Sequence, residues 1–240
     1  MENTEQLQKA LNILENNEGN IYFLTLDTKG VQKASIAMNY DLVKILTEKG
    51  YKAHIMHQEE EYKPPVEWLG EEYKGLSHKC ISKNEIQVNP ADTVFIPEIF
   101  GNVLEQIKDF PCEKIIFCQA YDYIFETLQP GWTWLNYGIT KCITTCESQK
   151  EYIKSVMPSV NVDIIPFYFP EYVEKSKAPK PPVVAIHTRD ARDTSKIIKT
   201  FYIKFPQFRW IAFKDMRNLS RQKFAESLQD TCVSVWVDDI

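Results

Sequence analysis

The sequence has no surplus of positive charge. Its 28 lysines and arginines stand against 33 aspartates and glutamates, a net charge of −5. A protein whose main partner is nucleic acid needs a basic excess to neutralise phosphates, so no nucleic-acid partner is expected. No apolar run approaches the ~20 residues that cross a bilayer as a helix, so no transmembrane segment is expected. The opening Met1-Glu2-Asn3-Thr4-Glu5-Gln6 is polar and does not read as a secretory signal. A G-x-G-x-x-G fingerprint and a P-loop are both missing after the first apolar strand, where Asp27-Thr28-Lys29-Gly30 offers a single glycine. Cysteine is present six times, but no second pair with histidines follows Cys142/Cys146, as a zinc site would need. The expectation is therefore reduced, buried thiols in a cytoplasmic protein, with no metal and no cofactor.

What is present is a rhythm of apolar strands and amphipathic helices. Leu7, Ala10, Leu11 and Leu14 predict a helix over Gln6–Asn16. A buried strand follows at Ile21–Leu26. The next helix carries Ala34, Met38, Leu42, Ile45 and Leu46 on one face and ends at Lys49-Gly50, a basic last turn with a C-cap glycine. A strand over Tyr51–Met56 completes a β-α-β unit, whose strands are parallel and whose crossover is right-handed. Residues 58–90 read as an excursion with short pieces of structure, because Trp68 and Leu76 require burial. Strands are then predicted at Thr93–Pro97, Lys114–Cys118, Lys141–Thr145 and Val162–Ile165, with helices at Ile99–Phe110 and Ser148–Val156. Continuous apolar strands alternating with helices imply a parallel sheet covered on both faces.

The composition changes at Glu174-Lys175-Ser176-Lys177-Ala178-Pro179-Lys180-Pro181-Pro182, a semi-rigid linker. The rhythm then restarts, with strands at Val183–Ile186, Phe208–Phe213 and Val233–Val237 and helices at Thr194–Lys204 and Ser220–Leu228. The organisation expected is α/β with two Rossmann-like domains, over residues 1–175 and 183–240, joined by residues 176–182. The second is too short to close by itself and reads as incomplete. Apolar surface around Trp236, or a partner chain covering that half, is the corollary.

In open parallel sheets, ligands bind at the carboxyl ends of the strands. That rule selects Gly30 after the first strand, Glu98 after Thr93–Pro97, and Gln119 and Tyr121 after Cys118. A helix N-terminus behind Gly30 can hold an anion or a hydroxyl, and a tight turn explains the glycine equally well. Glu98 is positioned to accept from hydroxyls or to complement a helix dipole. Gln119 and Tyr121 suit sugar binding, or merely cover the sheet edge. Arg189, Arg192 and Lys196 form a basic cluster around a helix start. That is a diphosphate site, or a solvated loop in which Asp190 and Asp193 pair the cations.

The Asp92–Glu98 and Lys114–Gln119 stretches, Ile164-Ile165-Pro166 before an aromatic run, Ala185-Ile186-His187-Thr188-Arg189, and Thr231–Asp239 together resemble a GT-B fold glycosyltransferase of the group 1, family-4-like type. The resemblance covers nearly the whole chain and rests on the order and spacing of these segments. It implies an acceptor domain followed by the start of a nucleotide-sugar-binding domain. In such retaining, metal-independent enzymes, Arg189 and Lys196 would hold the donor diphosphate, and Gly30, Glu98, Gln119 and Tyr121 would face the acceptor. The family's glycine-rich donor loop and paired glutamates would follow Ile240. The implied activity is transfer of a sugar from a nucleotide-sugar donor to a carbohydrate or other hydroxyl acceptor. The alternative is a non-catalytic binding or assembly protein keeping the acceptor half of the fold.

Overall fold

A computed structural model describes residues 18–27, 29, 33–83, 85–167, 179–188 and 190–237. The helix expected at Gln6–Asn16, Gly30, Arg189 and linker residues 174–178 lie outside the described residues. The chain divides into two compact units, one of residues 1–64 and 75–168, the other of residues 65–74 and 169–240.

The first unit is an α/β structure around one seven-stranded sheet. Its strands are β1 (Asn20–Leu24), β2 (Lys52–His57), β3 (His78–Cys80), β4 (Thr93–Pro97), β5 (Glu113–Cys118), β6 (Lys141–Thr144) and β7 (Asn161–Ile164). They lie in the order β3-β2-β1-β4-β5-β6-β7, and every neighbouring pair is parallel. The helices are α1 (Ala34–Glu48), α2 (Gly101–Ile107) and α3 (Glu147–Val156). This is a Rossmann-like fold, and its strand order reverses direction between β1 and β4.

The reversal explains how both faces are covered. From β1 the chain steps one way to β2, and from β4 it steps the other way to β5. Right-handed crossovers then place α1 on one face and α2 on the other. The packing agrees. Tyr22, Leu24, Val94, Ile96, Ile116, Cys118 and Cys142 share a buried cluster with Leu104 of α2 and Ile153 of α3. The alternating residues Ile21, Phe23, Ile55, Phe95, Ile115, Phe117 and Ile143 are equally buried and point to the other face. There Phe23 and Phe95 stack with ring centroids 4.5 Å apart.

Two glycines mark close constraints. Gly50 has φ of 90° directly after α1, the left-handed conformation that turns the chain into β2. Any Cβ at Gly19 would fall 2.2 Å from the Ala91 carbonyl oxygen, so the chain entering β1 needs a residue without one.

Among the differences from the sequence expectation, three bear on the architecture. β3 was hidden in the excursion; its register sets His78 beside Ile55 and Cys80 beside His57. The helix expected to reach Phe110 stops at Ile107, and the Phe110 amide closes a turn onto the Ile107 carbonyl at 3.0 Å before Pro111. The strand expected from Phe208 begins only at Ala212.

The second unit contains β8 (Val183–Thr188), α4 (Ala191–Lys204), β9 (Ala212–Asp215), α5 (Arg221–Gln229) and β10 (Val233–Val237). Its three strands are parallel in the order β10-β8-β9. The late start of β9 follows from Pro206, which opens a 3₁₀ turn over Pro206–Phe208. The short helix Val66–Leu69 joins this unit, burying Trp68 and Leu69, and the Arg221 guanidinium donates to the Tyr73 hydroxyl at 3.2 Å. Trp236 is 59% exposed, the apolar surface that the sequence leads one to expect there.

Candidate functional site

The first unit carries a bonded set of polar side chains at the carboxyl ends of its strands, around the reversal point. Glu98 follows β4 in a 3₁₀ turn and is 5% exposed. Its carboxylate accepts from the backbone amides of Gln119 at 3.2 Å and Ala120 at 2.9 Å. Burial raises its pKa, and the amide hydrogen bonds oppose that rise. Both oxygens are thus engaged in fastening β4 to the end of β5.

Gln119 is the hub. Its side-chain amide donates to the Ser35 carbonyl in the first turn of α1 at 3.2 Å. Its carbonyl accepts from Gln149 of α3 at 2.7 Å. The Gln149 amide oxygen in turn accepts from the hydroxyls of Thr144 and Thr145 and from the Thr145 amide. Asn39, one turn along α1 from Ser35, is 1% exposed. It donates to the Thr25 hydroxyl at 3.2 Å and the Leu24 carbonyl at 3.4 Å, at the end of β1.

Two acceptors in this region have no partner among the described residues: Asn39 Oδ1 and Gln119 Oε1 are both buried and unbonded. Leaving such an atom unsatisfied costs about 1–3 kcal/mol, so a donor arriving there is favoured. Tyr121 stands outside the network, 42% exposed, its ring centroid 5.1 Å from that of Tyr152. Cys146 and Cys232 are exposed, against the expectation of buried thiols; Cys146 occupies the N-cap position of α3, and its thiol lies 3.2 Å from the Ser148 hydroxyl, which together with backbone amides lowers its pKa.

The β1 loop turns at Lys29, which has φ of 50° and donates its amide to Asp27 Oδ1 at 2.8 Å. Beside it lies a cluster on the α1 face. The hydroxyls of Tyr40 and Tyr62 are 3.0 Å apart, Tyr62 stacks on His57 at 4.2 Å, and His78 lies 5.5 Å from Tyr62. Burial pushes Tyr62 up to about 12 and, with the neighbouring His57, holds His78 down to about 4. Both residues are therefore neutral around pH 7. A surface hollow of about 280 Å³, lined by Lys49, Tyr51 and Lys52 among others, opens at the amino-terminal end of β1 and β2, away from this network.

In the second unit, Lys196 sits in the second turn of α4 and pairs with Asp193 at 3.6 Å, its side chain 77% exposed. Arg192 folds back on Asp190, the N-cap of α4, at 2.7 Å. The carboxyl end of the neighbouring β9 supplies a third cation, Arg217, bound to Asp215. The structure thus joins Glu98 and Gln119 directly, and sets Tyr121 nearby without a bond to them. Lys196 lies on the second sheet, and Gly30 and Arg189 are outside the described residues. Sequence reasoning missed Ser35, Asn39, Gln149 and Arg217. The buried amides on otherwise apolar helix faces, Asn39 and Gln149, were the available signal.

No family model matches the chain, and searches of curated proteins and of solved structures likewise find no match. Among the described residues no helix is long and apolar enough to cross a membrane, and no group of three or more histidine, cysteine, aspartate or glutamate side chains is arranged to hold a metal ion.

Proposed function

We propose that the chain is a glycosyltransferase, or part of one, with GT-B type organisation: the first unit takes the acceptor and the second begins the nucleotide-sugar domain. The observation that carries the acceptor assignment is the pair of unclaimed amide oxygens, Asn39 Oδ1 and Gln119 Oε1, at the strand-order reversal. Sugar hydroxyls are the donors such atoms need, and Tyr121 with Tyr152 offers ring faces beside them. On the donor side the reading rests on the resemblance and on the cations Arg189 and Lys196. Their role is electrostatic: they stabilise charge growing on the leaving diphosphate, without metal and with retention at the sugar carbon.

A second reading, a non-catalytic carbohydrate-binding or assembly protein, draws on one specific observation. Glu98 is committed to two backbone amides, so it is not free for chemistry as placed.

One experiment separates the two. The chain is titrated with a panel of nucleoside-diphosphate sugars and with free saccharides, following thermal unfolding, and each mixture is then assayed for transfer by mass spectrometry. The enzyme reading expects stabilisation by one nucleotide class and a transferred product. Saccharide binding without nucleotide binding or turnover selects the second reading, and no binding of either kind overturns both.

A further inference from the structure

The chain is acidic overall, yet its charge is unevenly spread along the sequence. Between Asp193 and Asp215 the sequence holds Lys196, Lys199, Lys204, Arg209 and Lys214 and no aspartate or glutamate. The same stretch exposes large apolar side chains: Ile203 is 79% and Trp210 63% exposed, and Phe205 and Phe208 are also open to solvent. These residues form the turn between α4 and β9.

The turn is held in shape. The Phe205 amide closes onto the Phe201 carbonyl at 2.8 Å, the Phe208 amide onto Phe205 at 3.0 Å and the Ile211 amide onto Phe208 at 3.0 Å. The Tyr202 hydroxyl donates to the Ile211 carbonyl at 2.6 Å. Ring contacts then run outward from Phe201 to Phe205 at 5.5 Å, to Phe208 at 6.5 Å and to Trp210 at 6.1 Å. Collapsing these rings inward is blocked, because Phe201 and Tyr202 already pack on Phe213. Lys199, Lys204 and Arg209 are exposed and have no side-chain partner among the described residues.

We propose that this turn docks the protein on an anionic lipid surface. A turn that exposes aromatic and branched apolar side chains, with exposed cations in the same stretch, suits the interfacial zone of a bilayer. Rings enter the headgroup boundary, and long basic side chains reach the phosphates. Each cation near such a surface contributes about 1 kcal/mol, so charge and apolar insertion together give reversible binding that neither gives alone. Geometry keeps the proposal independent of the activity suggested above. The turn lies at the amino-terminal end of β9, whereas Asp190, Arg192 and Arg217 lie at the carboxyl ends of β8 and β9.

The test is cosedimentation of the full chain with vesicles of phosphatidylglycerol and phosphatidylcholine in equal parts, against vesicles of phosphatidylcholine alone, at low and high salt. Binding to the anionic vesicles should be at least about tenfold tighter and weaken with salt. Phe208→Ser with Trp210→Ser should reduce it about tenfold or more, and Lys199→Glu with Lys204→Glu should remove the preference for anionic lipid. Trp236→Ser, which removes an equally exposed ring from β10, should leave it unchanged. Circular dichroism confirms that each variant is folded. The proposal is overturned if the chain stays in the supernatant at low salt, or if the Trp236 variant loses as much binding as the turn variant. It is also overturned if sedimentation velocity shows a dimer that the turn variant dissociates, which would give the turn to a second copy of the chain. Equal binding to polyglutamate, indifferent to the loss of the rings, would reduce the surface to charge alone and overturn it as well.

Discussion

β4 and β10 are written in nearly the same chemistry and live in opposite conditions. Thr93-Val94-Phe95-Ile96-Pro97 and Val233-Ser234-Val235-Trp236-Val237 are both short, β-branched and aromatic. β4 lies near the middle of a seven-stranded sheet, and its first four residues are buried. β10 is the edge of a three-stranded sheet, with Val233, Trp236 and Val237 all exposed. Apolar content calls for a strand, but the depth of that strand is decided by how many layers the rest of the chain lays over it. The polar groups follow the same division. Around the carboxyl ends of the first sheet they are buried and mutually bonded, from Glu98 through Gln119 to Gln149. After the carboxyl end of β8, at the start of α4, the ion pairs are largely exposed.

The sharpest way to break the comparison is to remove one ring from each sheet. Phe117→Ala, from a site 1% exposed, should cost about 3–5 kcal/mol. Trp236→Ala, though it deletes more atoms, should cost no more than about 1 kcal/mol, because its contacts are to His187 and Phe224 on one side only. Urea unfolding measures both, and equal losses would mean that β10 is covered.

Glu98→Gln tests the buried network of the first unit. The substitution turns an NH₂ group toward a backbone amide that has lost its acceptor, a loss of about 1–3 kcal/mol. The same experiment reads whether Gln119 and Ala120 become exchangeable by amide hydrogen exchange.

Acid should act next. An unfolded histidine takes its proton near 6.5, whereas folded His78 takes it only near 4. Between those values the unfolded chain binds the extra proton. This residue's contribution is therefore constant above pH 6.5 and erodes stability as pH falls toward 4, by at most about 1.4 kcal/mol per pH unit. Wild type and His78→Gln should have parallel stability profiles above 6.5 and diverge below it; parallel profiles throughout would show that His78 is solvated.

The smallest effect belongs to the second unit. Lys196→Ala should change stability by less than about 0.5 kcal/mol, since its pair with Asp193 is exposed. A larger loss would mean that Lys196 has a partner beyond Asp193. Any effect of the substitution on nucleotide-sugar binding is then a statement about the ligand and not about folding.

Much of the first sheet was legible because its strands are continuous apolar runs between helices of clear period. β3 was not, since His78-Lys79-Cys80 has no β-branched residue and its strand character comes from pairing with β2. The Phe208-Arg209-Trp210 run reads as a strand by composition, and Pro206 overrules it by seeding a turn. At the site, the strand-end rule found Glu98 and Gln119 because both follow strands directly. Asn39 and Gln149 sit inside helices, where sequence spacing gives the face but not the partner across the sheet. Arg217 follows β9 and obeys the same rule; it escaped notice because β9 itself was placed too early.

Gln119 has a mechanical consequence. Its side chain holds α1 on one face of the sheet and its carbonyl holds α3 on the other, through bonds of 3.2 Å and 2.7 Å. The two helical layers therefore cannot shear past one another along the strands without breaking one of these links. A molecule that captured the Gln119 amide would load both layers at once, so that stiffness on one side of the sheet would register what happens on the other.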